Sequence, residues 1–149
     1  MTPNRDSATH QFPVSAVPPA VYAADNVPAA IDLRDYQSAT LLLHIGAGGI
    51  VFTGVNKIEF VVTHSDDDVT YTAVTDDDVI KDALCPAAIV TGIVRSLTAA
   101  HAAATIQKLG YVGGKRYLKV LADFSGVHGT GTPIGATVVK GHAALRGSA

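Results

Sequence analysis

The amino-acid sequence predicts an all-β protein, namely an antiparallel β-sandwich of the jelly-roll or immunoglobulin-like type. The first observation is in residues 106–140, where Leu118, Val120 and Ala122 alternate with less apolar neighbours, the period of a strand buried on one face. The second is that turn residues such as Gly113 and Gly114 separate further runs of this kind. The third is that almost no segment has a helical pattern. Seven or eight short strands at this spacing are typical of a sandwich.

Composition and length agree with one globular domain. The chain has 149 residues, of which 48% are hydrophobic and 16% charged, so it can form a core and is too apolar to be disordered. It has no uninterrupted apolar run of about 18 residues, which a membrane-spanning helix would need. The single Cys85 excludes an intramolecular disulfide framework. With no secretory signal visible, synthesis in the cytosol is the expectation.

The first 28 residues are predicted to form an extended arm, and residues 29–149 a single sandwich domain. Five of the seven prolines lie in the arm, which excludes a regular helix or a central strand there. The arm either docks on another surface or stays a disordered tail. Its apolar side chains are available for docking, and they are the first predicted interface residues: Val14, Val17, Val21 and Tyr22.

The sandwich strands follow in chain order. Before the three strands within 106–140, strands are predicted at residues 30–33, 39–45, 58–63, 69–74 and 89–97. The third and fourth of these runs flank an acidic turn and should form a hairpin. Alternation assigns these residues to core faces: Leu41, Leu43, Ile45, Ile58, Phe60 and Val62. Only the alanine-rich segment 98–104 is suited to a short helical turn.

Two aspartate triplets, 66–68 and 76–78, are the dense acidic clusters of the chain. Calcium binds six to eight oxygen ligands, and two loops at one end of a sandwich could supply several of them. The candidate ligands are Asp66, Asp68, Asp76 and Asp78. Because the spacing does not match an EF-hand loop, solvated turns are the favoured interpretation and no cofactor is expected.

Catalytic motifs are not found. The glycine-rich stretch 46–49 is followed by the apolar residues Ile50, Val51 and Phe52, which favour a strand, whereas a phosphate-binding loop leads into a helix. The six histidines have none of the spacings typical of zinc ligands. Cys85 has no neighbour that would activate a thiol. We therefore do not expect an enzyme.

Basic residues gather around residues 115–119. Lys115 and Arg116, beside Tyr117 and Lys119, could be mistaken for a nucleic-acid stripe, but a pI near 6.3 provides no concentrated positive field. We interpret Lys115 and Arg116 as the charged rim of a protein interface.

The two halves of the chain also differ in charge. Residues 1–82 carry a net charge of −8 and residues 83–149 carry +6. Either the charges intermingle, because a sandwich mixes strands from both halves, or complementary surfaces pack copies head to tail.

Several segments resemble small proteins encoded in the structural modules of tailed phages and prophages, near the capsid genes. The segments are Ile31–Tyr36, Ser38–Leu41, Lys57–Phe60, His64–Asp67 and Gly110–Leu118, within roughly residues 29–142. The resemblance implies a virion structural role, above all that of a capsid decoration or cement protein. Its partners would be the major capsid protein and copies of itself, without nucleic acid or membrane. Its place would be the outer capsid surface, after synthesis in the bacterial host cytoplasm.

A second resemblance implies a different function. The segment His64–Tyr71 is similar to the Ser-x-Asp-Gly-x-x-Trp turn of discoidin-like jelly rolls, which bind carbohydrate, and Lys115–Leu118 lies where those domains have a basic-aromatic strand. Asp68 stands in place of the Gly, and the chain has no Trp. A glycan ligand remains an alternative, although sugar sites usually use exposed aromatic faces. Another head–tail or tail component of the particle is a third possibility.

Overall fold

A computed structural model describes residues 6–143 and contains ten β-strands. Their bounds are β1 Gln11–Tyr22, β2 Ile31–Asp32, β3 Tyr36–Ile45, β4 Lys57–Ser65, β5 Thr72–Ala73, β6 Val79–Ile80, β7 Ile93–Leu97, β8 Thr105–Tyr111, β9 Tyr117–Ser125 and β10 Thr132–Ala143. Two single 3-10 turns, Ala8–His10 and Asp76–Asp78, are the helical elements of the described chain. None of the described residues forms a helix long and apolar enough to cross a membrane.

The strands form two five-stranded antiparallel sheets, which confirms the predicted all-β sandwich. Sheet A has the order β1-β10-β3-β8-β6. Sheet B has the order β2-β9-β4-β5, and β7 pairs with the same edge of β4 as β5. Every connection except β4–β5 passes from one sheet to the other. The three strands predicted within 106–140 are therefore present as β8, β9 and β10, but they do not pair with one another.

The core lies between the two sheets, on the faces that alternation predicts. The central strands β3, β4 and β9 turn the following side chains inward, each at most 5% exposed: Leu41, Leu43, Ile45, Ile58, Phe60, Val62, Leu118, Val120 and Ala122. Residues with the opposite phase, such as Glu59 and Lys119, lie on the outer face of sheet B. Strand phase therefore follows from the two-residue period of the sequence.

Some predicted elements are shorter than expected or absent. The hairpin partner 69–74 retains only β5, and the run 89–97 retains only β7. Ile50, Val51 and Phe52 lie in a loop and have no strand partner. Phe52 packs into the core all the same. The segment 98–104 is not helical but is a loop whose His101 carbonyl accepts a hydrogen bond from Gly48. One isolated turn of helix is unstable without a packing partner, and most of these alanines are exposed.

The segment predicted as an arm is a strand of the sandwich in its own chain. Strand β1 pairs with β10 along its whole length and forms one edge of sheet A. An edge strand tolerates prolines, because one side of its backbone has no partner strand. Val17 is completely buried in the core, and Val14 packs against it. The sandwich therefore includes residues that the sequence prediction placed outside it.

Side chains close the open edge of sheet B. Strand β2 covers only the first two residues of β9, so the following backbone groups need other partners. The Asn26 Nδ2 amide donates to the Val120 carbonyl at 3.2 Å, and its Oδ1 accepts the Ala122 N–H at 2.7 Å. Asp25 accepts the Phe124 N–H at 2.7 Å. Asn26 is 8% exposed, and inside the protein its side chain takes the place of a neighbouring strand for these two backbone groups of β9.

We expect Asn26→Leu to destabilise the fold by about 1–3 kcal/mol, because it leaves the Ala122 N–H and the Val120 carbonyl without partners in a buried place. Urea denaturation followed by circular dichroism measures the loss. The matched control is Asp25→Asn, which keeps an acceptor for an exposed N–H and should change stability by less than about 0.5 kcal/mol. Equal stability of the two variants would contradict the assigned role of Asn26.

The connections gather at the two ends of the sandwich, and they differ in charge. At one end, called the charged end, lie the loops 33–35, 66–71 and 112–116. At the opposite end, called the uncharged end, lie the loops 46–56, 98–104 and 126–131, which contain no Lys, Arg, Asp or Glu. Strands from the two halves of the chain alternate in sheet A, so the halves do not form separate acidic and basic faces.

Candidate interaction site

A groove of about 540 Å³ opens at the charged end, between the loop 33–35 with the start of β3 on one side and the end of β8 with the loop 112–116 on the other. Gly114 in its wall has a φ of +74°, a conformation that glycine adopts without steric cost. Both basic residues predicted as interface residues, Lys115 and Arg116, line this groove. The structure brings them together with Arg34, Asp35 and Asp66. The groove therefore carries charges of both signs.

Arg116 is held by a bidentate ion pair with Asp32. Its Nε and NH2 groups donate to the two carboxylate oxygens of Asp32 at 2.9 and 2.8 Å. These hydrogen bonds lower the pKa of Asp32 to about 2, against the opposing effect of its burial. The same pairing raises the pKa of Arg116. Arg116 also lies over the Tyr117 ring, 4.8 Å from its centroid, so its guanidinium group has a fixed direction at the groove.

A buried pair of rings supports the floor of the groove and joins the two sheets. The Tyr111 hydroxyl, from β8, accepts the Lys115 N–H at 3.1 Å and lies 2.8 Å from His64 Nδ1, on β4. The hydroxyl and Nδ1 form a buried hydrogen bond, and the other ring nitrogen, Nε2, lies 4.0 Å from an Asp78 carboxylate oxygen. Burial lowers the pKa of His64, against the opposing effect of the Asp78 carboxylate. We assign this pair a positioning role for the loop that carries Lys115.

The acidic loop 66–68 is ordered by its own hydrogen bonds. Asp67 Oδ1 accepts the N–H groups of Val69 and Thr70 at 2.9 and 2.8 Å, and the Ser65 hydroxyl at 2.8 Å. These bonds, those from Thr70 and Val69 first, lower the pKa of Asp67 to about 2. The loop is therefore a hydrogen-bonded turn.

The four candidate calcium ligands all have partners within the chain. Asp66 faces Lys115 at 3.9 Å and Asp68 accepts the Tyr71 hydroxyl. Asp76 binds Lys81 at 2.6 Å, and Asp78 accepts the Thr75 N–H at 2.8 Å. Within residues 6–143 no three His, Cys, Asp or Glu side chains are grouped so that they could hold a metal ion. The structure thus does not bring these carboxylates to one point.

The apolar interface residues predicted in the arm are divided by the fold. Val17 is 0% exposed and Val14 is partly buried, so neither is free for a partner. Val21 is 62% exposed near the uncharged end. Tyr22 is partly buried, and its hydroxyl donates to the Pro18 carbonyl at 2.7 Å. Of the four, Val21 alone offers most of its side chain to a partner.

The environment of Cys85 bears on the state of its thiol. Burial raises the pKa of Cys85, whose sulfur accepts a hydrogen bond from Gln107 Nε2 at 3.0 Å, so the residue is a neutral thiol.

All nine aromatic residues are buried or partly buried in the structure. They therefore do not present the open aromatic faces on which sugar rings usually stack.

Sequence reasoning missed Asn26 and the pair of His64 and Tyr111. Each acts through a partner far along the chain, since Asn26 bonds across 94 residues and His64 across 47. No local pattern marks such residues.

The fold and the groove together define a ten-stranded antiparallel sandwich with a polar, ion-paired loop cluster at one end. Comparison with solved structures finds a similar fold in the crystal structure of the SPBc2 prophage-derived protein YomS, with a TM-score of 0.50. The alignment covers 87% of this chain and 91% of that chain at 9% sequence identity, which establishes a shared fold. No protein-family model matches the chain, and no curated protein matches it.

Proposed function

We propose that this protein is a non-enzymatic structural component of a bacteriophage or prophage particle. The observation that carries the proposal is the fold shared with a prophage-derived protein over nearly the whole of both chains. The sequence resemblance to phage structural modules, found in the segments from Ile31 to Leu118, supports it independently of that fold. A fold alone does not define a function, so the particle itself must provide the test.

The narrower proposal is a capsid decoration or cement protein on the outer surface of the head. Its partners are the major capsid protein and copies of itself, and it is made in the host cytoplasm before it binds the assembled lattice. The ion-paired Lys115 and Arg116 at the groove fit the polar rim of such an interface. The described surface offers no grouped metal ligands that would favour a hydrolytic centre instead.

The mechanism is adhesion. Burial of apolar surface stabilises a contact by roughly 25 cal/mol per Å², and ordering of side chains and loss of free motion oppose it. On a symmetric lattice each oligomer binds through several equal contacts at once. Such multivalency increases the overall affinity by about 10²–10⁴ over a single contact, so a modest interface is sufficient.

The test uses particles from the phage or prophage that carries the gene, with and without the gene. We expect the protein in purified particles at a fixed ratio to the major capsid protein, and cryo-electron microscopy should show its density outside the head. Particles without the protein should release DNA at a lower temperature, and added purified protein should restore the wild-type temperature. A control particle pair would differ only in an unrelated non-structural gene.

The outcomes separate the alternatives. Density on the tail or at the head–tail junction would assign the protein to those parts and reject the cement function. Absence from purified particles would reject a virion role altogether. Release temperatures that do not change, despite density on the head, would leave a decoration protein without a stabilising function.

A further inference from the structure

The uncharged end is an unusual surface for a water-soluble domain. Its three loops together contain 24 residues and carry no Lys, Arg, Asp or Glu. Three large apolar side chains on these loops point into solvent, with Val51 71%, Val55 73% and Val127 76% exposed. Contiguous exposed apolar surface with a polar border usually marks an interaction site.

Hydrogen bonds and close packing join the three loops into one continuous surface. Gly48 N–H donates to the His101 carbonyl at 2.9 Å, which joins the first loop to the second. Val127 N–H donates to Asn56 Oδ1 at 3.0 Å, which joins the third loop to the first. A Cβ at Gly131 would lie 2.6 Å from the Tyr22 carbonyl oxygen, so the third loop also packs closely on the end of β1. A surface held in this way loses little conformational freedom when it binds.

This surface continues onto sheet A. An apolar groove of about 530 Å³ lies beside the uncharged end, and its walls include Pro19, Val21, Gly46 and Pro133. On the other side the surface ends at Asp25 and Lys57, which are at the border with sheet B. An apolar centre with charges at its border is the usual arrangement of a protein interface.

We propose that the uncharged end is the surface through which this protein binds a second copy of itself, end against end. Two copies that meet here bring no charged loop residue out of water and place no like charges together. Contact through the charged end would bury or repel the charges of seven loop residues: Arg34, Asp35, Asp66, Asp67, Asp68, Lys115 and Arg116. Of the 24 loop residues, 21 are exposed or partly exposed, which is within the range of about 20–30 residues that a stable interface uses on each side.

The inference deepens the proposed function, since it rests on the expectation that copies of the chain are partners, and it names the surface. It is tested on the purified chain without any particle. Failure of self-association would therefore leave the particle experiment unaffected, and failure in the particle would leave this one unaffected.

The experiment is sedimentation equilibrium of the full chain and of two matched double variants. Val51→Asp with Val127→Asp places two charges on the uncharged end. Val69→Asp with Val112→Asp places the same charges on the charged end, at valines that are 82% and 55% exposed. We expect the first pair to weaken self-association at least tenfold and the second pair to leave it unchanged. Circular dichroism confirms that each variant is folded, and Val55→Lys replaces the first pair if it is not.

Salt provides a second measurement. An apolar contact should persist at about 1 M salt, where the screening length falls to about 3 Å and exposed charge pairs contribute little. A parent chain that is monomeric at about 100 μM has no self-association of useful strength and overturns the proposal. Equal weakening by both double variants, or dissociation of the parent in salt, overturns it as well.

Discussion

Deletion of residues 1–24 is expected to unfold the sandwich. The deletion removes β1, whose Ala16 and Val17 are at most 3% exposed, and it exposes the backbone of β10 along its whole length. Burial of Val17 contributes about 1.5–3 kcal/mol, and the burial of Ala16, the packing of Val14 and the lost strand pairing add to this. The total is a large part of the about 5–15 kcal/mol that stabilises an ordinary domain. Loss of the β-rich circular dichroism spectrum and of a cooperative melting transition would show the effect.

A matched control separates the strand from the residues before it. A chain that begins at Gln11 keeps all of β1 and should fold like the parent. If instead the chain without residues 1–24 melts at the parent temperature, β1 does not contribute to the fold and the segment is an arm after all.

Phe60→Ala is expected to cost about 3–5 kcal/mol of unfolding free energy, because it leaves a large cavity between the two sheets. Phe60 is 0% exposed and lies in the middle of β4, between β9 and β7. Its neighbour Val61 has the opposite phase and is partly exposed on the outer face. Val61→Ala is therefore the control, with a much smaller expected loss. Urea denaturation that gives equal losses for both variants would contradict the strand phase assigned to β4.

The sequence was sufficient for the fold class and for the phase of the central strands. In β3, β4 and β9 every second residue is apolar, and the side chains of a strand alternate between its two faces. Phe60 and Leu118 could therefore be assigned to the core from the pattern alone. The pattern contains no information on which strand lies beside which, and the alternation of consecutive strands between the sheets was not predictable.

Strand β1 was not predicted from the sequence, and the reason is physical. The register of β1 against β10 shifts between Ser15 and Val17, and again before Ala20. Such a bulge places Ala16 and Val17 next to each other in the core and interrupts the two-residue period. The interrupted period and the prolines together make the sequence of β1 look like that of an extended arm. An edge strand nevertheless accommodates both features.

The candidate site was predictable only in part. Lys115 and Arg116 follow a glycine turn, and such a position predicts exposure at the end of a sandwich. Their ion pairs with Asp66 and Asp32 required the fold, because Asp66 comes from another loop and Asp32 from β2. The uncharged end was divided in the sequence among three segments, and only the topology brings these segments together.

The position of β10 also determines when the chain can fold. This last strand lies between β1 and β3 in sheet A, and its Thr132 pairs with Tyr22, 110 residues earlier. At a synthesis rate of about 5–20 residues per second, β1 waits for its partner for on the order of ten seconds. The protein therefore has a high contact order and folds only after nearly the whole chain has been made, with its apolar strands exposed to chaperones and to other nascent copies until then.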